Sequence, residues 1–239
     1  MVLNYDELTF AEAKLLQEEF RKELRFDIPN SKVINSIAAT DISYNPNSTT
    51  MYGAIVILSY PELRLKSYSL VINETKFPYR AGYLGFREVP TLLKAWEQIE
   101  DKPDVVVLDG QGYLHPRRMG IASHFGVLTS QATIGCAKTS LYGFYEEPSV
   151  IKYSSSKVFE HHTNEHIGYA LRTKNNTKPV YVSPGYGLSL VKSLEIMNKC
   201  IGNHRIPEPT RLAHEIVNDF RIGKLQAGYK EVKSTPILF

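Results

Sequence analysis

The sequence predicts an α/β domain with a mixed central β-sheet flanked by helices, and three observations predict it. Three short runs rich in β-branched and aromatic residues follow one another between residues 36 and 72, separated by turn residues. The run "VVVL" at 105–108 is apolar throughout, as suits a parallel strand covered on both faces. From residue 87 onward helical and strand patterns alternate, the arrangement that feeds crossovers into one sheet.

Taken in order, "LTFAEAKLLQEEFRKEL" (8–24) reads as an amphipathic helix with apolar Leu15, Phe20 and Leu24 among charges. Strands follow at "SIAATDIS" (36–43), "MYGAIVILSY" (51–60) and "RLKSYSLVI" (64–72). The turn chemistry of Asn45-Pro46-Asn47-Ser48 predicts that the first two pair as an antiparallel hairpin. "REVPTLLKAWEQIE" (87–100) predicts a helix with Pro90 near its first turn, ahead of the buried strand in "KPDVVVLDG". "RMGIASHFGVL" (118–128) reads as a small-residue helix and "ATIGCAKTS" (132–140) as a short strand. Residues 148–174 alternate and turn like an antiparallel excursion, and "PVYVSPGYG" (179–187) is a further strand and turn. Helices over "LSLVKSLEIMNKCI" (188–201) and "PTRLAHEIVNDFRIGKL" (209–225) complete a single domain over 1–239, with about 230–239 as a tail.

The composition, 43% hydrophobic and 22% charged over 239 residues, is that of a globular protein with a core to bury. A net charge of +3 fits a protein that meets phosphate backbones on one face without requiring it. Cys136 and Cys200 are too few for a disulfide framework, so a reducing, cytoplasmic location is expected. The opening "MVLNYDELTF" lacks a basic stretch followed by an apolar one, so no signal peptide is expected. No apolar run approaches the roughly 20 residues that span a bilayer. No membrane partner is expected, and the chain is expected to act as a monomer. The glycosylation-like triplets at Asn47, Asn73 and Asn175 then read as chance matches.

Three carboxylates stand where chemistry is often placed. Asp41 lies in or at the end of the first strand, Asp109 ends the buried strand, and Glu88 stands beside Arg87 near a helix start. A carboxylate at the mouth of a parallel strand projects into the crevice where open α/β sheets bind ligands. Converging carboxylates repel by a few kcal/mol unless a divalent cation neutralises them, and hard oxygen ligands favour Mg²⁺ or Mn²⁺ over Zn²⁺. The plainer alternative is a turn residue, a helix cap and a surface ion-pair partner. Other motifs fail on spacing. "GCAKTS" lacks the glycine pattern of a phosphate loop, "SPGYG" is no nucleophile elbow, and His161–His162 lie in a polar stretch where solvated histidines are ordinary.

The blocks "AATDISY", "FPYRAGYLGFREVPTLLKAW", "VVVLDGQGYLHPRRMGIASHFGV", "TIGCAKTSLYG" and "RIPEPTRLAH" run in order from Ile37 to His214. Through them the chain resembles the endonuclease V family, deoxyinosine-specific nucleases of the ribonuclease H-like fold. The resemblance implies that Asp41 and Asp109 ligate Mg²⁺, with Mn²⁺ as a substitute, and that Glu88 completes the acidic site. It places His214, His115 and Lys138 beside them as catalytic residues. His214 falls off the apolar stripe of Leu212, Ile216 and Phe220, a position open either to the site or to solvent. A lysine beside the scissile phosphate would stabilise charge built up in the transition state; a plain surface charge is the alternative. Arg117 and Arg118 suit phosphate clamps, or else ordinary solvation at a helix start.

On the substrate side, the resemblance makes "PYRAGYL" a recognition loop in which Tyr79 is an aromatic wedge that lets the altered base leave the stack. Tyr79 could otherwise be an ordinary surface aromatic. The flipped hypoxanthine is expected against Gly82, Leu84, Gly110 and Gly112, with Ile121 and Arg117 alongside, since glycine admits close backbone approach. Family members often have proline where this chain has Ala81, which removes a stiffening element from the loop. The implied activity is a Mg²⁺-dependent nick at the second phosphodiester bond 3′ to deoxyinosine in DNA, in DNA repair. Inosine-containing RNA is the alternative substrate, and a non-catalytic nucleic-acid-binding module or a protein-interaction scaffold are rivals from other classes. Ile237, Leu238 and Phe239 at the C-terminus are expected either to tuck onto the domain or to dock a partner such as a replication clamp.

Overall fold

The computed structural model describes residues 4–26, 33–46 and 48–232. Nine strands form one sheet in the order β6-β7-β8-β5-β4-β1-β2-β3-β9. They are β1 (Ser36–Ser43), β2 (Thr50–Ser59), β3 (Leu65–Glu74), β4 (Val105–Leu108), β5 (Thr133–Ala137), β6 (Ser155–Phe159), β7 (His166–Leu171), β8 (Val180–Tyr186) and β9 (Gly228–Glu231). The helices are α1 (Phe10–Lys22), α2 (Leu84–Glu97), α3 (Ile121–Thr129), α4 (Leu190–Lys199) and α5 (Glu208–Arg221). β1, β2 and β3 form the expected antiparallel meander, β4 and β5 run parallel to β1, and β8, β7 and β6 extend the sheet antiparallel. The mixed sheet flanked by helices is the architecture the sequence predicts.

Strand alternation sorts the core into two faces. Ile37 and Ala39 of β1 and Val105 and Val107 of β4 pack with Ile196 and Met197 of α4 and Ala213, Ile216, Val217 and Phe220 of α5. Ala38, Val106 and Leu108 turn the other way, onto Val89, Leu92 and Trp96 of α2 and Ile121 and Phe125 of α3.

Three elements depart from the sequence reading. α2 begins at Leu84, so Pro90 falls inside the helix rather than in its first turn. Burial of Phe86, Val89 and Leu92 carries the helix through a residue that lacks the amide. In α1 the buried residues are Ala13 and Gln17, while Leu15 is 60% exposed. Lys230 and Glu231, expected to open a tail, instead lie in β9, which pairs antiparallel with β3 and becomes the edge strand on that side of the sheet. Ile237, Leu238 and Phe239 lie outside the described residues, as does any contact they make.

Candidate active site

Parallel register brings the two aspartates together. Thr40 of β1 pairs with Leu108 of β4, so Asp41 and Asp109 occupy the next position on adjacent strands. Both have the parity of Ile37, Ala39, Val105 and Val107, and they emerge on the sheet face covered by α5. His214, nearly two turns along α5, meets Asp41 there, with Nδ1 at 2.7 Å from Oδ2. Asn218 Nδ2 donates to His214 Nε2 at 3.1 Å, which leaves Nδ1 to carry the proton given to Asp41. Lys138, just past β5, places Nζ 2.5 Å from Asp109 Oδ2. Glu88 arrives from α2, on the opposite side of the sheet.

The electrostatics are those of excess negative charge. Burial and the neighbouring Asp109 raise Asp41 above the usual carboxylate range, against the bond from His214. Glu88 accepts no hydrogen bond from a described residue, and burial together with Asp41 and Asp109 pushes it up to about 8. Burial alone would lower the Lys138 ammonium, but the Asp109 carboxylate, with Asp41 behind it, raises it overall. Three carboxylates thus face one lysine and one histidine, with hard oxygen donors in excess, a set whose chemistry fits a divalent cation. Among the described residues no three His, Cys, Asp or Glu side chains are already drawn into one cage; Lys138 and His214 hold the two aspartates instead.

A cleft of about 520 Å³ opens above these groups. Asp41, Glu88, Asp109, Lys138, His214, His115, Tyr79, Gly82, Leu84, Gly110 and Ile121 all line it. Tyr79 is 68% exposed at its rim. Gly82 adopts φ +83°, a conformation that favours glycine, and a Cβ on Gly110 would stand 2.6 Å from Ile121 Cγ2.

Other expected site residues are engaged differently. Gly112 lies outside the cleft lining, and a Cβ there would meet Pro184 O at 2.3 Å, so its backbone approaches β8 closely. Arg117 is also off the lining. Its Nη2 donates to Gly82 O at 2.8 Å and its guanidinium lies 4.4 Å from the Tyr83 ring centroid, so the loop takes up the fork. Arg118 is neither a phosphate clamp nor a solvated helix start. It is 5% exposed, has φ +60° and pairs with Glu165 at 2.7 Å. Buried His115 is held neutral, pushed down to about 3 by burial and by Arg117.

The cleft also contains residues the sequence reading did not single out. Gln111 donates to Thr139 O at 2.9 Å, while its buried Oε1 has no hydrogen-bond partner among the described residues. Tyr44, Met119, Ser140 and Leu141 add to the lining. Asn218 stands four residues after His214 on one face of α5, a spacing that could have marked it.

The family model for endonuclease V matches residues 18–215 of the chain. The chain belongs to the endonuclease V family. An endonuclease V from Dictyoglomus turgidum is 43% identical over 205 residues, covering 86% of this chain and 88% of that protein. The crystal structure of endonuclease V from Streptomyces avermitilis superposes with a TM-score of 0.83 at 32% identity, over 92% of this chain and 96% of that one. Endonuclease V of Ciona intestinalis superposes with a TM-score of 0.79 at 27% identity, over 90% of this chain and 98% of that one. That protein was crystallised with a 24mer DNA containing an inosine followed by a ribo-adenosine. As an endonuclease V, the chain is a phosphodiester hydrolase on the ribonuclease H-like fold expected from its motifs. No helix among the described residues is long and apolar enough to cross a membrane.

Proposed function

We propose that this endonuclease V recognises deoxyinosine in DNA and nicks the strand at the second phosphodiester bond 3′ to it, dependent on Mg²⁺ or Mn²⁺. The observation that carries the reading is the convergence of Asp41, Asp109 and Glu88 in one cleft with Tyr79, Gly82 and Leu84. The carboxylates and the proposed base-binding loop thus share one opening. Asp41, Asp109 and Glu88 would hold the cation, which when bound supplies charge neutralisation and polarisation of the scissile phosphate. Lys138 holds a positive charge beside Asp109, where a phosphate oxygen gains negative charge in the transition state. His214 orients Asp41 through its Nδ1 proton. Tyr79 at the rim fills the gap left in the stack, and the glycine backbone at 82 and 110 receives the extruded base.

Inosine-containing RNA is the second reading, favoured by the ribo-adenosine after the inosine in the strand bound to the Ciona protein. A cleft that reads the 2′-hydroxyl would prefer it. Two free, buried cysteines suit action in a reducing, cytoplasmic setting. Cleavage of matched inosine-containing DNA and RNA strands, with and without Mg²⁺, tests the reading once products are sized to one nucleotide. Products cut at the second bond 3′ to inosine, only with the cation, are expected. Metal-independent cutting, or cutting indifferent to inosine, would overturn it.

A further inference from the structure

The loop that carries Tyr79 is held from inside by a glutamine. Gln17 of α1 is 1% exposed, at a position where an amphipathic helix ordinarily buries an apolar residue. Its Nε2 donates to Gly82 O at 3.0 Å and to Met119 O at 3.1 Å, and its Oε1 accepts from Arg117 Nε at 2.6 Å. Both amide hydrogens and the acceptor are therefore used, on three groups remote in sequence.

The Gly82 carbonyl receives two further donors, Arg117 Nη2 at 2.8 Å and His115 Nε2 at 3.1 Å. The histidine's tautomer follows from its other side, where Nδ1 accepts from Arg117 N at 3.1 Å and Met119 N at 3.4 Å. Three donors on one carbonyl fix the peptide plane at a residue whose φ is +83°. Gly82 N–H donates to no described residue, and both Gly82 and Met119 line the cleft. Gln17 thus joins two walls of the recess, the Tyr79–Leu84 loop and the segment leading into α3, from one residue outside the stretch matched by the family model.

We propose that Gln17 is a positioning residue for lesion specificity: it sets the spacing of the Gly82 and Met119 walls, and so how well the recess discriminates among extruded bases. The proposal rests on the reading of the cleft as an inosine site. Removing the amide leaves two carbonyls short of a donor and Arg117 Nε without its acceptor, so the walls relax while the carboxylates stay in place.

The test compares the wild type with Gln17→Met, which keeps length and apolar packing, and Gln17→Glu, which keeps the acceptor for Arg117 but loses both donors. Ile196→Ala, in the core under α4 on the other face of the sheet, controls for lost stability. Each is assayed with Mg²⁺ on matched single strands holding inosine, guanine or adenine at one position, and thermal unfolding is followed alongside. Both Gln17 variants are expected to raise KM for the inosine strand about tenfold and to lower the inosine-over-guanine ratio similarly, with kcat within about twofold. Ile196→Ala is expected to lower Tm and keep the ratio. Wild-type KM and ratio in both Gln17 variants would overturn the proposal, as would a fall in kcat alone or the same loss of ratio in Ile196→Ala. Variants too unstable to unfold cooperatively would also count against it, as evidence of a purely structural role. A wild type that does not prefer inosine would overturn the functional reading and this inference with it, an outcome distinct from a selective wild type with equally selective variants.

Discussion

Asp41 is partnered by His214 and Asp109 by Lys138, so each of the two aspartates, unlike Glu88, already has a positive or proton-donating neighbour. On the proposed reading, a divalent cation would be held by both aspartates, a role neither partner fills. Asp41→Ala or Asp109→Ala should therefore lower Mg²⁺-dependent kcat by about three orders of magnitude, the scale of lost metal-assisted charge stabilisation. Binding of the inosine strand in Ca²⁺ should persist, because the base recess is built from other residues; near wild-type cutting by either variant would contradict the assignment. Tyr79 makes a different kind of contribution. A ring that replaces stacking matters where a stack must open, at roughly 1–3 kcal/mol per base. Tyr79→Ala should cost about tenfold in kcat/KM on duplex inosine DNA and much less on single strands, and equal losses on both would exclude a wedge. Arg118 tests the opposite prediction. Removing one partner of its ion pair with Glu165 should destabilise the fold by about 2 kcal/mol, below the range for fully buried pairs because Glu165 can rehydrate. KM for the inosine strand should not change, whereas a phosphate clamp would raise it and lose salt dependence.

Among the elements, the glycines in and around α2, β4, β5 and α3 differ in purpose from one to the next. Gly82 and Gly110 line the cleft, Gly120 both lines it and lies against the Gln111 backbone, and Gly112 and Gly135 are places where backbones touch. A Cβ on Gly112 would lie 2.3 Å from Pro184 O and 2.8 Å from Pro184 C, and neither atom can move without shifting β8. Gly112→Ala should cost about 2–4 kcal/mol in denaturant unfolding, and a wild-type midpoint would return Gly112 to the ligand side. Strand boundaries were legible in sequence because alternation and turn chemistry are local, and β1 spans the predicted residues 36–43. The start of α2 and the existence of β9 were not. Each depends on burial against, or pairing with, an element far along the chain.

For the whole molecule, the buried titratable groups predict a stability maximum near neutral pH in the absence of metal. His115 and His124 are both pushed down to about 3 by burial, so the unfolded chain binds more protons than the folded one below the ordinary histidine value. Each removes about 1.4 kcal/mol per pH unit as pH falls below ~6.5. Glu88, raised to about 8 with burial first among the causes, has the opposite sign: the folded chain holds the extra proton, and its contribution disappears as pH rises through that value. Urea unfolding in a chelator should show stability falling on both sides of a maximum near ~6.5. Glu88→Gln should remove the alkaline arm and His124→Gln should lessen the acid one; a flat profile from pH 5 to 9 would refute both assignments. Residue type and order alone were enough for the family and the scaffold: acids at strand ends, a long glycine-histidine-arginine motif, strands and helices in an α/β order. Those signals are local, carried by residue type, periodicity and turn chemistry. Which polar groups the fold itself takes up is set by long-range packing. Gln17 reaches Met119, Arg118 reaches Glu165 and Gly112 meets Pro184 through contacts remote in sequence, and the fate of a buried polar group depends on the partner that satisfies it.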